Sequence, residues 1–132
     1  MYHYACGAIL FIAIYLNRKD SRMLSLTFIV GASIFASPPM DSRVAFYLFC
    51  IMAELAVLMF ALSYKCRASS TIAYICAVMI VAHIGGFVLK GGLPLSPYQV
   101  IIKFLEFSQL SALVALSPVL RPTLRNRHAT TS

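Results

Sequence analysis

Apolar residues gather in five runs along the chain, at about residues 2–16, 23–37, 44–64, 71–89 and 97–117, with short polar breaks between them. A helix of roughly 20 apolar residues crosses a bilayer. The pattern therefore predicts an all-α, polytopic transmembrane helical bundle of five spans. The first two runs are short; the apolar part of the second reaches only about 21 Å at 1.5 Å per residue. Four spans, or three with a re-entrant N-terminal hairpin, are the competing arrangements. On this reading residues 1–120 are a single transmembrane domain and residues 121–132 a basic cytoplasmic tail.

The breaks carry start and stop signals. Asn17-Arg18-Lys19-Asp20-Ser21-Arg22 reads as a tight polar turn in which Asp20 or Ser21 caps the second helix. Ser37-Pro38-Pro39 ends that helix. Asp41-Ser42-Arg43 repeats the Asp20-Ser21-Arg22 triplet before the third run, as reused capping chemistry. Lys65-Cys66-Arg67 closes the third run, and Ser69, Ser70 and Thr71 offer caps for the fourth. The fifth run has Ser96 as N-cap, Pro97 at the first helical position and Gln99 at capping-box spacing. Pro118 and Pro122 end it.

Two further patterns bear on packing. Tyr2, Tyr4, Tyr15, Tyr47, Tyr64, Tyr74 and Tyr98 all fall near run ends, which predicts an interfacial aromatic belt. Small residues four apart predict close helix approach, within the chain or between copies. The pairs are Ala32 with Ala36, Ala73 with Ala77, Ala82 with Gly86, Ser108 with Ala112, and Ser111 with Ala115.

Composition narrows the class. Of 132 residues, 61% are hydrophobic and 11% charged, and the mean hydropathy is +0.85. A soluble domain is about half apolar and a quarter charged, so a disordered chain is excluded and a soluble domain disfavoured. A net charge of +7 would suggest nucleic acid on a soluble protein. Here the charges punctuate apolar runs and read as topology signals and lipid head-group contacts, with Arg121, Arg125 and Arg127 as the head-group set. The expected partners are the lipid bilayer and a second copy or another membrane protein, with no nucleic acid.

With the N-terminus outside, Arg18, Lys19, Arg22, Lys65, Arg67, Arg121, Arg125 and Arg127 lie inside, and Arg43, Lys90 and Lys103 outside. That obeys the positive-inside rule and predicts a bacterial-type inner-membrane protein with a cytoplasmic C-terminus. Basic residues follow the first run instead of preceding it, which predicts a reverse anchor and no cleavable signal peptide. Cys6, Cys50, Cys66 and Cys76 show neither C-x-x-C nor zinc spacing, so no disulfide framework and no metal site are expected.

Candidate chemistry lies inside the runs. Lys103, Glu106 and Gln109 recur at spacings that place them on one side of the fifth helix. An ionised group facing lipid is costly, so that side is expected to face protein or water. Measured from the outer end, Glu106 lies roughly 14 Å deep, Gln109 roughly 18 Å, Glu54 roughly 15 Å and His83 roughly 9 Å. The overlapping depths predict an intramembrane polar cluster of Glu54, His83, Lys103, Glu106 and Gln109. Three roles are open to it: internal pairs that lock helix order, a proton or ion path, or a stripe lining a pore between copies.

Enzymatic activity and cofactors are not expected, because the sequence carries no nucleophile motif, metal-ligand pair or phosphate-binding glycine loop. Gly85-Gly86 and Gly91-Gly92 read as hinges or close-packing positions. His3 and His128 fall on opposite sides of the membrane and cannot share a site. In plan, being small and polytopic with a basic C-terminal tail inside, the chain resembles phage holins and other small viral or bacterial inner-membrane proteins; no residue motif is shared. The resemblance implies a holin-like oligomer that permeabilises the membrane, with the fifth-run stripe facing its lumen. The alternatives are a proton- or ion-coupled transport or respiratory accessory subunit using Glu54, His83 and Glu106, and a structural subunit of a larger membrane complex. Small multidrug transporters are of similar size but carry their membrane acid in the first of four spans, whereas Glu54 lies in the third run here.

Overall fold

The structure, a computed structural model, describes residues 1–36, 42–88 and 95–117. They form five α-helices: α1 (Tyr2–Asn17), α2 (Ser21–Phe35), α3 (Arg43–Ser63), α4 (Arg67–Val88) and α5 (Leu95–Ala115). Each apolar run becomes one helix, and the described residues contain no strand. Only α3 and α4, of 21 and 22 residues, are both long and apolar enough to cross a membrane. The other two apolar helices, α1 and α2, are shorter, at 16 and 15 residues. The length of α5 suffices, at 21 residues, but Lys103, Glu106 and Gln109 dilute its hydropathy. Outside the described residues lie Ser37-Pro38-Pro39, Asp41, Lys90, Gly91-Gly92, Pro118, Pro122, His128 and the basic tail with Arg121, Arg125 and Arg127.

Local chemistry explains where the helices start. Asp20 caps α2: its carboxylate accepts the N–H groups of Arg22 at 3.1 Å and Met23 at 3.3 Å. Ser42 caps α3, accepting the Ala45 N–H at 3.5 Å. The two triplets thus cap through different members. For α4 the expected caps are displaced, because the helix starts at Arg67, ahead of Ser69, Ser70 and Thr71. Cys66 and Ser69 form a capping box there. The Ser69 hydroxyl accepts the Cys66 N–H at 3.0 Å, and the Cys66 thiol sulfur accepts the Ser69 N–H at 3.3 Å. In α5 the helix begins at Leu95, so Ser96 is not its N-cap and Pro97 is its third residue. Proline is harmless there, since first-turn N–H groups have no partner within the helix.

The helices close into a ring. α3 packs on α4, α4 on α5, α5 on α1, α1 on α2 and α2 on α3, with α2 also touching α5 across the interior. In a ring of five, directions cannot alternate throughout, so one neighbouring pair runs parallel. That pair is α1 and α5. The Tyr2 hydroxyl donates to the Lys103 carbonyl and the Glu106 carboxylate at one end. Asn17 meets the Leu113 carbonyl and Ser117 at the other. The N-terminal ends of α1, α3 and α5 therefore lie together, and Arg18, Lys19, Arg22, Lys65 and Arg67 gather at the opposite, basic end.

Several packing expectations change. Asn17, read from sequence as part of a polar turn, is instead fully buried. Its amide donates to Leu113 O at 3.2 Å and to Thr27 Oγ1 at 3.5 Å, and its oxygen accepts the Ser117 hydroxyl at 2.8 Å. This buried junction ties α1, α2 and α5, as a polar side chain in an apolar setting requires. Only Tyr4, Tyr15 and Tyr74 of the seven tyrosines are strongly exposed; Tyr2, Tyr47, Tyr64 and Tyr98 turn inward to partners, so the belt is partial. Ala32 is exposed, and the close approach falls on Gly31, where a Cβ would sit 2.8 Å from Leu10 Cδ2. Gly86 is likewise a close-packing position: a Cβ there would meet the Tyr98 ring at 3.0 Å and the Tyr47 ring at 3.1 Å. Ala112 is buried, while Ala36, Ala82 and Ser108 are half-buried.

Candidate functional site

The first halves of α1, α3 and α5 and the second halves of α2 and α4 surround a cavity of about 370 Å³. It lies in the half of the bundle away from the basic end. Tyr2 and His3 of α1, Ser33 of α2, Cys50 and Glu54 of α3, Met79 and His83 of α4, and Tyr98, Lys103 and Glu106 of α5 all border it, among others. Four of the five residues expected to cluster thus face one space. The fifth, Gln109, lies directly behind Glu54.

The deepest group is Glu54, on the inward face of α3 and only 3% exposed. Its Oε1 accepts the Ser33 hydroxyl at 3.0 Å and its Oε2 accepts the Gln109 amide at 3.1 Å. Both partners are neutral. The same Gln109 Nε2 lies 3.2 Å from Cys76 Sγ. Gln109 is wholly buried, and its Oε1 has no hydrogen-bond partner among the described residues. Turning the amide over would present Oε1 to the Cys76 thiol and to Glu54, but Glu54 could donate only if it carried a proton. Nε2 would then lack an acceptor. Each arrangement leaves one polar atom unsatisfied.

Around this centre the cluster divides into pairs. Glu106 Oε2 accepts the Tyr2 hydroxyl at 2.5 Å. His83, 4% exposed, shares a 2.6 Å hydrogen bond between its Nδ1 and the Tyr98 hydroxyl. Lys103 is exposed, and its ammonium stands 5.4 Å from the centroid of the Tyr2 ring. The expectation that the charged members pair with one another is therefore replaced. Tyrosine, serine and glutamine hold the ionisable groups, because they supply hydrogen bonds without bringing a second charge out of water. Arg43 crosses at the mouth end, donating to the Gly86 carbonyl at 3.1 Å and the Phe87 carbonyl at 3.5 Å, where the last turn of α4 leaves carbonyls free.

Sequence reasoning missed Tyr2, Tyr98, Ser33 and Cys76 as members of the site. Their places near run ends point the tyrosines to the membrane edge, and nothing local distinguishes an inward tyrosine from an outward one. Ser33 did carry a signal, since a serine in an apolar run needs an acceptor and the backbone four residues back is not its only choice. Among the described residues no group of three or more His, Cys, Asp or Glu is placed to hold a metal ion. No protein-family model, no curated protein and no solved structure matches this chain.

Proposed function

We propose that the protein is a five-span membrane bundle without enzymatic activity that moves a proton or another small cationic species through the Glu54 cavity, as a coupled carrier or an accessory subunit of one. The observation that carries this reading is the pair of carboxylates, Glu54 and Glu106, on different helices bordering one cavity, with Glu54 held, among the described residues, by neutral groups alone. Buried intramembrane acids that face a cavity mark substrate and ion pathways and proton relays.

Membrane residence is supported by the inversion of the surface. Phe11, Leu48, Met52, Met59, Leu62, Val81 and Phe104 are exposed, whereas Asn17, Thr27, Gln109 and Glu54 are buried. An exterior of that kind suits lipid. Five spans are favoured over a re-entrant hairpin because α1 runs beside α5 from Lys103 to Ser117, keeping the depth of a spanning helix. The basic end then faces the cytoplasm and the cavity the outer side. Short α1 and α2 imply a locally thinned bilayer.

The holin-like alternative needs the α5 stripe to line a lumen between copies. Gln109 and Glu106 are engaged inside the chain, which weighs for the carrier. The test is proton flux. The purified chain, reconstituted into liposomes under a pH gradient, is expected to dissipate the gradient faster than empty liposomes, and Glu54→Gln is expected to abolish the excess. Depolarisation of expressing cells that is indifferent to Glu54→Gln would favour the pore; absence of flux with stable co-purification of a larger complex would favour the structural subunit.

A further inference from the structure

We infer that the species taken up by the cavity is an organic cation, an amine or quaternary ammonium bearing an apolar group. The inference rests on the carrier reading above and names the class of its cargo.

Size is the first reason. A volume of about 370 Å³ falls within the range of roughly 300–1,000 Å³ typical of sites for small organic molecules. A bare ion or a proton needs far less, a void on the order of one water. Charge is the second. Glu54 and Glu106 face the space from α3 and α5, and Glu54 draws its hydrogen bonds, among the described residues, from a hydroxyl and an amide. An entering cation meets a carboxylate whose charge is not already matched. Aromatic lining is the third. Tyr2, Phe46, Phe49 and Tyr98 border the cavity, and ring faces attract cations within about 6 Å. Phenyl rings also bury the apolar part of such a ligand, which a site built for an inorganic ion has no use for.

The chain supplies an internal likeness of this contact. The Lys103 ammonium stands over the Tyr2 ring at 5.4 Å, and the hydroxyl of that ring donates to Glu106. An alkylammonium already sits on an aromatic face beside a carboxylate at the border of the cavity. Lys103 must therefore oppose a ligand cation, by charge and by occupancy of the ring. Its removal and the removal of a glutamate have opposite expected signs.

The test is equilibrium dialysis of the purified chain in detergent against radiolabelled benzyltrimethylammonium. Saturable binding is expected. Glu54→Gln and Glu106→Gln should each weaken it by about tenfold or more, with helix content unchanged by circular dichroism. Lys103→Gln, at an exposed position that leaves the buried network intact, should tighten it. Neopentylbenzene, the uncharged molecule of the same shape, should not displace the label. Absence of saturable binding by the unaltered chain, or displacement by neopentylbenzene as effective as by unlabelled cation, would overturn the inference. Glu54-dependent proton flux without ammonium binding would remove this inference and leave the carrier reading standing; the loss of both would remove both.

Discussion

Asp20 shows how much one side chain can hold at the basic end. One carboxylate oxygen caps α2 and the other accepts the Tyr64 hydroxyl at 2.7 Å. The Tyr64 hydrogen bond, reinforced by the capping amides, keeps the Asp20 carboxyl below its ordinary value although partial burial opposes it. The same hydrogen bond pushes the Tyr64 phenol up to about 12. The consequences for stability have opposite signs. A depressed acid stabilises the fold above its unfolded value, and that contribution disappears as pH falls through the folded one; a raised phenol stabilises below its unfolded value and loses the contribution as pH rises through about 12. The thermal unfolding midpoint in detergent is expected to be flat between about pH 5 and 9 and to fall on both sides. Tyr64→Phe should lower the plateau and flatten both flanks. Unchanged flanks in Tyr64→Phe would show that the pair does not govern them.

At the scale of helices, two glycines make opposite demands. Gly31 lets α1 approach α2, and the atoms a Cβ would meet, at 2.8 and 3.0 Å, are the two terminal methyls of Leu10. Those methyls can rotate away, and alanine improves helix propensity by about 1 kcal/mol. Gly86 lets α4 approach α3 and α5, and the atoms facing it belong to the rings of Tyr47 and Tyr98. Those rings are packed edge to face at 5.7 Å, and Tyr98 is also bonded to His83, so they yield less readily. Gly31→Ala is expected to be close to neutral, and Gly86→Ala to destabilise by about 1–2 kcal/mol, the usual cost of overpacking. Thermal unfolding of the two variants side by side checks the ranking. Equal effects would mean that the tyrosine cluster adapts as freely as a leucine.

At the scale of the molecule, the closed ring with parallel α1 and α5 sets the topology. The proposed five spans would place the N-terminus outside and both the α1–α2 turn and the loop at residue 65 inside. A re-entrant α1–α2 hairpin has both ends on the outer face, so it would keep the N-terminus outside and leave only its turn within the membrane. In inverted membrane vesicles, epitope tags inserted after Lys19 and at residue 65 are both expected to be cleaved by added protease. Cleavage of the tag at residue 65 alone would replace five spans with the hairpin. Ring closure also explains why the site assembles where it does. Up-and-down connections bring the N-terminal parts of α3 and α5 and the second half of α4 to one end, so Glu54, His83 and Glu106 share a level.

What the sequence determined by itself was most of what depends on near neighbours along the chain, the exact starts of α4 and α5 excepted. Five apolar runs became five helices, because helix hydrogen bonds close within four residues and capping within three. The shared level of Glu54, His83 and Glu106 along the bundle followed from helical rise and alternating helix direction, which is why their meeting at one cavity could be anticipated. Partners were another matter. Tyr2 and Glu106 are 104 positions apart, and Asn17 and Leu113 are 96 apart. Nothing local chooses between an inward and an outward tyrosine, or between Gly31 and Ala32 as the point of contact. Those choices were made when the ring closed. In an apolar surrounding, every buried polar group must find a hydrogen bond and every close approach needs a missing side chain, and both conditions are set by the helix that happens to lie opposite.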